Sequence, residues 1–182
     1  SVPAFDQLHD ELEAFAAPEP LRRAARASAI DEVLHTQLMA TLTCRFGGRV
    51  TTPEVRPLPR RTLLDLALDN AREGCVRETF GAAVAHYQAA RADDAEVRAV
   101  FSRVAEDETR HAELSWAIDE WLQTRLSPAE RALVEVERRE ALHTLRRELT
   151  NEELSEVRAV AGVPAAAVAL NMVDALFAEV RA

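Results

Sequence analysis

Two short runs in this chain pair a carboxylate with an imidazole at helical spacing. The first is Asp31-Glu32-Val33-Leu34-His35. The second, 76 residues on, is Asp107-Glu108-Thr109-Arg110-His111. On a helix, a Glu and a His three positions apart lie one turn apart on the same face. One carboxylate oxygen and one ring nitrogen can then reach a common cation. Two such helices facing each other supply half the ligand shell of a two-metal site. Glu32, His35, Glu108 and His111 are therefore the first candidate ligands.

The repeat is longer than the phrase. Leu21, Ala25, Ser28, Glu32, His35, Met39 and Leu42 form one helical stripe. Val97, Phe101, Val104, Glu108, His111, Ser115 and Ile118 form another at equivalent positions. Both are apolar stripes at three- and four-residue spacing, interrupted by the same Glu and His. A Glu inside an apolar stripe is costly unless it is paired or metal-bound. A solvated Glu beside a core His explains one such stripe; the same interruption in register in both favours a site.

A two-metal site in a helical bundle takes a Glu from each of two further helices. The third helix offers Glu73 and Glu78, five residues and about 140° apart on a helix. Alignment of the two hairpins favours Glu73 as the bridging ligand. Glu78 lies on a core-like line of Leu64, Ala67, Ala71, Cys75 and Ala82, and is the alternative or an additional ligand. On the first helix the matching level falls just ahead of Ser1. His9, Glu11 and Glu13 are too near that helix's first turn to reach it. Asp31 and Asp107 precede the two ligand Glu residues. Metal-bound His usually gives its other N–H to a carboxylate, so Asp31 is expected to orient His111, and Asp107 to orient His35. Tyr87 and Trp116 are read as packing residues; His86 and His143 as structural or exposed.

The elements that must carry these residues are helices. Val2, Phe5, Leu8, Leu12 and Phe15 predict a helix over 2–16, broken by Pro18 and Pro20. A second runs over 21–46 and ends at Gly47-Gly48. Pro53, Pro57 and Pro59 predict an extended stretch over 47–60. A third helix spans 62–91, and a turn at Ala92-Asp93-Asp94 caps a fourth over 95–126. Tight turns make antiparallel pairs of the first and second helices and of the third and fourth. The middle segment of roughly 13 residues spans about 40 Å at ~3.3 Å each. That matches the ~39 Å length of a 26-residue helix, so the segment can run the length of a bundle. Ser127-Pro128-Ala129-Glu130 then starts a further helix to about 149. A short helix from 150, interrupted by Pro164, and a last one carrying Val168, Met172, Leu176 and Val180 follow. The reading is 1–126 as the bundle and 127–182 as an appendix packed on it or on a partner subunit, with a homodimer as one assembly.

Composition agrees with an all-α protein: 182 residues, 5 Gly, and abundant Ala, Leu, Arg and Glu. All the basic side chains are Arg. A net charge of −9 argues against nucleic acid or an anionic membrane surface as the main partner. The apolar run Val160–Leu170 is too short to span a bilayer and contains Pro164. Cys44 and Cys75 lack zinc-type spacing and are expected to be free, buried thiols in a reducing, cytoplasmic setting. No secretory signal pattern precedes them.

Asp-Glu-Val-Leu-His on the second helix and Asp-Glu-Thr-Arg-His-Ala-Glu-Leu on the fourth carry a family resemblance. With Arg72-Glu73-Gly74-Cys75-Val76-Arg77-Glu78-Thr79 on the third, they resemble the ferritin-like superfamily of ferritins, bacterioferritins, rubrerythrins and di-iron carboxylate oxidases. The resemblance covers roughly 1–126 and leaves 127–182 outside. It implies a ferritin-like four-helix bundle with one long crossover. In the bacterial ferritin-like domain proteins the first helix begins Glu-His-Ala-Ser-Val. Ser1-Val2 stands here as though just past that Glu, which implies a further ligand upstream. The implied cofactor is two iron ions, with manganese as the alternative, since carboxylate-rich sites with one imidazole per metal suit these ions. The implied function is an oxidoreductase using O₂ or peroxide on a small substrate. A non-catalytic metal-binding or iron-storage protein, and a structural module with a vestigial site, are the alternatives.

Overall fold

Periodic apolar residues and few glycines yield helices throughout, and among the described residues there is no strand. The computed structural model describes residues 2–51, 59–149 and 155–178. The chain forms two compact units, Ser1–Thr62 and Leu63–Ala182. Among the described residues no helix is long and apolar enough to cross a membrane.

In the first unit α1 (Val2–Ala14) is followed by α2 (Glu19–Arg45). The turn between them closes with Ala17 N–H on the Leu12 carbonyl at 2.8 Å, and Ala16 takes a positive φ of 53°. Pro18 and Pro20 sit where helix N–H groups have no intrahelical partner, so they start α2 without loss. Arg22 pairs with Glu13 at 3.7 Å and Arg26 with Asp6 at 3.6 Å, so the helices run antiparallel. Phe5, Leu12, Ala25, Ala29 and Leu42 are buried. Gly47, at φ +78°, ends α2 as expected. One feature was not legible in the sequence. Buried Glu11 accepts from Arg61 Nε at 2.8 Å and from the Arg61 backbone N–H at 3.2 Å. Gln7 donates to the same carboxylate at 2.6 Å. Glu11 thus anchors the far end of the linker on α1. The expected extended stretch lies mostly at 52–58, outside the described residues.

The second unit begins with α3 (Leu63–Asp69), a π-helical segment (Asn70–Glu78) and α4 (Thr79–Arg91), continuous in sequence. Asp94 then caps α5 (Ala95–Gln123), accepting from Glu96 N–H at 2.9 Å and Val97 N–H at 3.1 Å. The capping box predicted at Ser127 and Glu130 opens α6 (Pro128–Glu148). Two shorter helices follow, α7 (Ser155–Ala161) and α8 (Ala166–Leu176). Val76, Ala141, Leu142, Leu145, Val173 and Phe177 form a core, with Phe80, Trp116 and Leu149 against it. This core joins the π segment to α6 and α8. The described residues of 128–149 and 155–178 therefore pack within the second unit, Leu63–Ala182.

Arg138 of α6 reaches Asp119 of α5 at 2.8 Å and Glu135 at 2.6 Å, and lies over the Trp116 ring at 5.3 Å. Two expectations change here. The buried stripe of the last helix is Ala169, Val173 and Phe177, one position on from the predicted line; Leu176 is exposed, and Val180 lies outside the described residues. Cys75 is buried as expected, but Cys44 is exposed.

Candidate metal centre

Both predicted stripes fold as helix faces. On α2, Ala25, Ser28, Glu32, His35 and Leu42 are buried, and Leu21 and Met39 half-buried. His35 Nδ1 lies 3.3 Å from Glu32 Oε1, one turn away. On α5, Val97, Val104, His111, Ser115 and Ile118 are buried. His111 is fully enclosed, and its Nδ1 stands 3.7 Å from Glu108 Oε2. The two Glu-x-x-His runs thus have matching local geometry in separate units.

Within the second unit the arrangement is more complete. Glu78, Glu108 and His111 each offer a ligand atom, and these atoms lie within 4.8 Å of one another. Glu78 comes from the end of the π segment, Glu108 and His111 from α5. Two donors on opposite sides of one ion, each at ~2.1 Å, stand about 4.2 Å apart. The three atoms are therefore close enough for small rotations of the carboxylates to seat one divalent ion. Two carboxylates and one imidazole are a donor set that can hold a divalent cation.

Glu73, preferred from the sequence as the bridging ligand, does not stand with these three residues. Its side chain is half-exposed and is held by Arg72 at 3.0 Å and by Arg77 at 3.5 Å. Those arginines also pair with α6: Arg72 with Glu137 at 2.8 Å, Arg77 with Glu148 at 2.9 Å. Glu73 thus belongs to a ladder of charges between the π segment and α6, while Glu78 lies on the α5 side.

Asp107 is 1% exposed and is held by two arginines of its own helix. Arg103 Nε is 3.4 Å away, and Arg110 pairs with the other carboxylate oxygen. Asp31 is half-buried. Trp116 donates from its ring N–H to Thr79 Oγ1 at 3.0 Å, in keeping with a packing role. His86 bonds Thr109 Oγ1 at 2.9 Å and His143 is exposed. A groove of about 650 Å³ between α4 and α5 is lined by Thr79, His86, Thr109, Trp116, Glu120 and Leu176 among others. Its α5 residues lie on a face turned roughly 140° from the His111 line, so it is separate from the three-ligand cluster.

Burial pushes the Cys75 thiol up to about 12, with the Asp119 charge adding to the effect. Cys75 therefore stays a protonated thiol at neutral pH.

No family model, no curated protein and no solved structure matches the chain.

Proposed function

We propose that this chain is a two-metal carboxylate protein of the ferritin-like kind, binding iron, with manganese as the alternative. Its activity in this reading is an O₂- or peroxide-using oxidation of a small substrate. The reading extends to the fold: the α1–α2 and α4–α5 hairpins are the two halves of a four-helix bundle, with residues 47–60 as its long crossover. The observation that carries it is the Glu78–Glu108–His111 cluster, together with an equivalent Glu32–His35 pair in the other unit. Five protein ligands result: Glu32, His35, Glu78, Glu108 and His111. Asp107 and Asp31 remain the groups proposed to orient His35 and His111.

When bound, a pair of redox-active metals supplies the electrons for reduction of O₂ or peroxide. The side chains hold the charge and geometry for it. Three carboxylates offset most of the charge of two divalent ions, and the two imidazoles each leave a second ring nitrogen free to be oriented. Burial of His35, Glu32 and His111 lowers the local dielectric and keeps bulk water from competing with the carboxylate oxygens.

The test is anaerobic loading with Fe²⁺, followed by metal analysis and O₂ uptake. Two iron ions per chain with stoichiometric O₂ consumption is the expected result. Many ions per chain would indicate storage, and none a vestigial site. His35→Ala and His111→Ala should each lower iron content; unchanged iron in both would refute the ligand assignment.

A further inference from the structure

The π segment is an unusual piece of helix, and it ends on Glu78. π turns are rare, occur mostly as single turns, and are frequent at functional sites. Here nine residues, Asn70–Glu78, adopt that form, so something must hold them.

Three residues do. Asn70 donates from Nδ2 to the Ser115 carbonyl at 2.9 Å. That carbonyl has a second lone pair beyond its intrahelical bond. Ser115 in turn donates from Oγ to the His111 carbonyl at 2.9 Å. Gly74 closes the contact. A Cβ at Gly74 would stand 2.7 Å from Asn70 Oδ1, 2.8 Å from Ser115 Oγ and 2.9 Å from Ser115 Cβ. No side chain fits there without something moving. An interior helical Gly is also costly, by about 1 kcal/mol relative to Ala, which makes the close approach its reason for being there.

The geometry points to Asn70 and Gly74 as positioning residues for Glu78, acting through Ser115. The α5 helix runs antiparallel to the π segment, so the Gly74–Ser115 contact lies next to the Glu78–His111 level. Glu78 is four residues beyond Gly74, and His111 four residues before Ser115. The approach distance at the first level sets that at the second. Asn70 fixes the rotation, because its amide ties the start of the π segment to the turn of α5 that carries His111. Loss of either contact lets the segment retreat or return to α-helical pitch, which turns Glu78 away from Glu108 and His111.

This inference rests on the metal reading for its purpose, but its test does not depend on that reading. The full chain is made as wild type, Asn70→Ala, Gly74→Ala and Gly74→Ala/Ser115→Gly. Crystal structures of the metal-free proteins read the placement of Glu78 directly. Mn²⁺ titration reads its consequence. Gly74→Ala and Asn70→Ala are expected to move the Glu78 carboxylate out of the cluster and to raise the Mn²⁺ dissociation constant at least tenfold. Ser115→Gly removes two of the three atoms that crowd the new methyl, so the double variant should recover the cluster and most of the affinity. It should do so although it also deletes the Ser115 hydroxyl and its bond to the His111 carbonyl; a general loss of stability would be deepened, not reversed, by that second truncation. Retention of the Glu78 placement in both single variants would overturn the inference, as would failure of Ser115→Gly to restore it. If wild type takes up no Mn²⁺ or Fe²⁺, the function proposal fails, and the metal-free structures still decide the positioning.

Discussion

Replacing Glu78 with Gln should stabilise the metal-free protein and weaken the metal-loaded one. Glu78 and Glu108 bring carboxylate oxygens within 4.8 Å in a partly enclosed place. At an effective dielectric near 20, two unit charges at that distance repel by about 3.5 kcal/mol. Both side chains are partly exposed and His111 offers a hydrogen-bonding ring, so the gain on removing one charge should be about 1–2 kcal/mol. For a chain of this size that is a rise in Tm of roughly 2–8 °C. With Mn²⁺ at 100 times the dissociation constant, wild type gains about 2.7 kcal/mol by mass action. A variant binding tenfold more weakly gains only about 1.4 kcal/mol at the same concentration. Thermal or urea unfolding of both proteins, with EDTA and with Mn²⁺, measures all four quantities. The expected pattern is Glu78→Gln above wild type in EDTA, with a smaller increment on adding metal. A variant less stable in EDTA, with an unchanged metal increment, would show that Glu78 is an ordinary structural carboxylate. Glu73→Gln is the control and should alter neither quantity by more than about 0.5 kcal/mol.

Three further outcomes follow from the packing. Asp119→Ala leaves the enclosed Arg138 with Glu135 alone and should lose about 3 kcal/mol; Asp119→Leu/Arg138→Met should recover most of it in urea unfolding, and equal losses in both would refute a buried pair. Gly162, at φ +67°, abuts the Ala92 backbone, where a Cβ would meet N at 2.5 Å, whereas Gly47, at φ +78°, faces open space. Gly47→Ala should therefore lose only the left-handed penalty of about 1–2 kcal/mol, Gly162→Ala clearly more, and equal losses would contradict the α7–α8 docking. At pH 8 a disulfide reagent should titrate one thiol per native chain: exposed Cys44 reacts, while Cys75, with its pKa near 12, holds a thiolate fraction of about 10⁻⁴; two fast thiols would show that the core around Cys75 opens readily.

The sequence made helices and caps legible because each has a local cause. Asp94, Ser127 with Glu130, and Gly47 act within one turn of the chain, and each does what its residue type predicts. The Glu-x-x-His faces were legible because their period is that of the helix. What was not legible depends on one extra residue per turn. The assumption of α pitch through 62–91 hid the π segment, whose lock sits 40 residues away in α5. The hairpin alignment then chose Glu73, which arginines hold at the surface, over Glu78. Its only local trace was a glycine inside a helical pattern, which signals close packing without naming the partner. Arg61 on Glu11 and Arg138 on Asp119 are likewise long-range pairs that no periodicity announces. The last helix shows a finer limit: two adjacent apolar lines run along it, and only the core around Val76 selects the Ala169–Val173–Phe177 line.

Anomalous scattering from crystals loaded with Fe²⁺ and, separately, Mn²⁺ tests the central claim most directly. The account predicts two metal peaks per chain at the matching absorption edge, one of them bonded to Glu78, Glu108 and His111. Loaded crystals with no peak within bonding distance of those three side chains would contradict it.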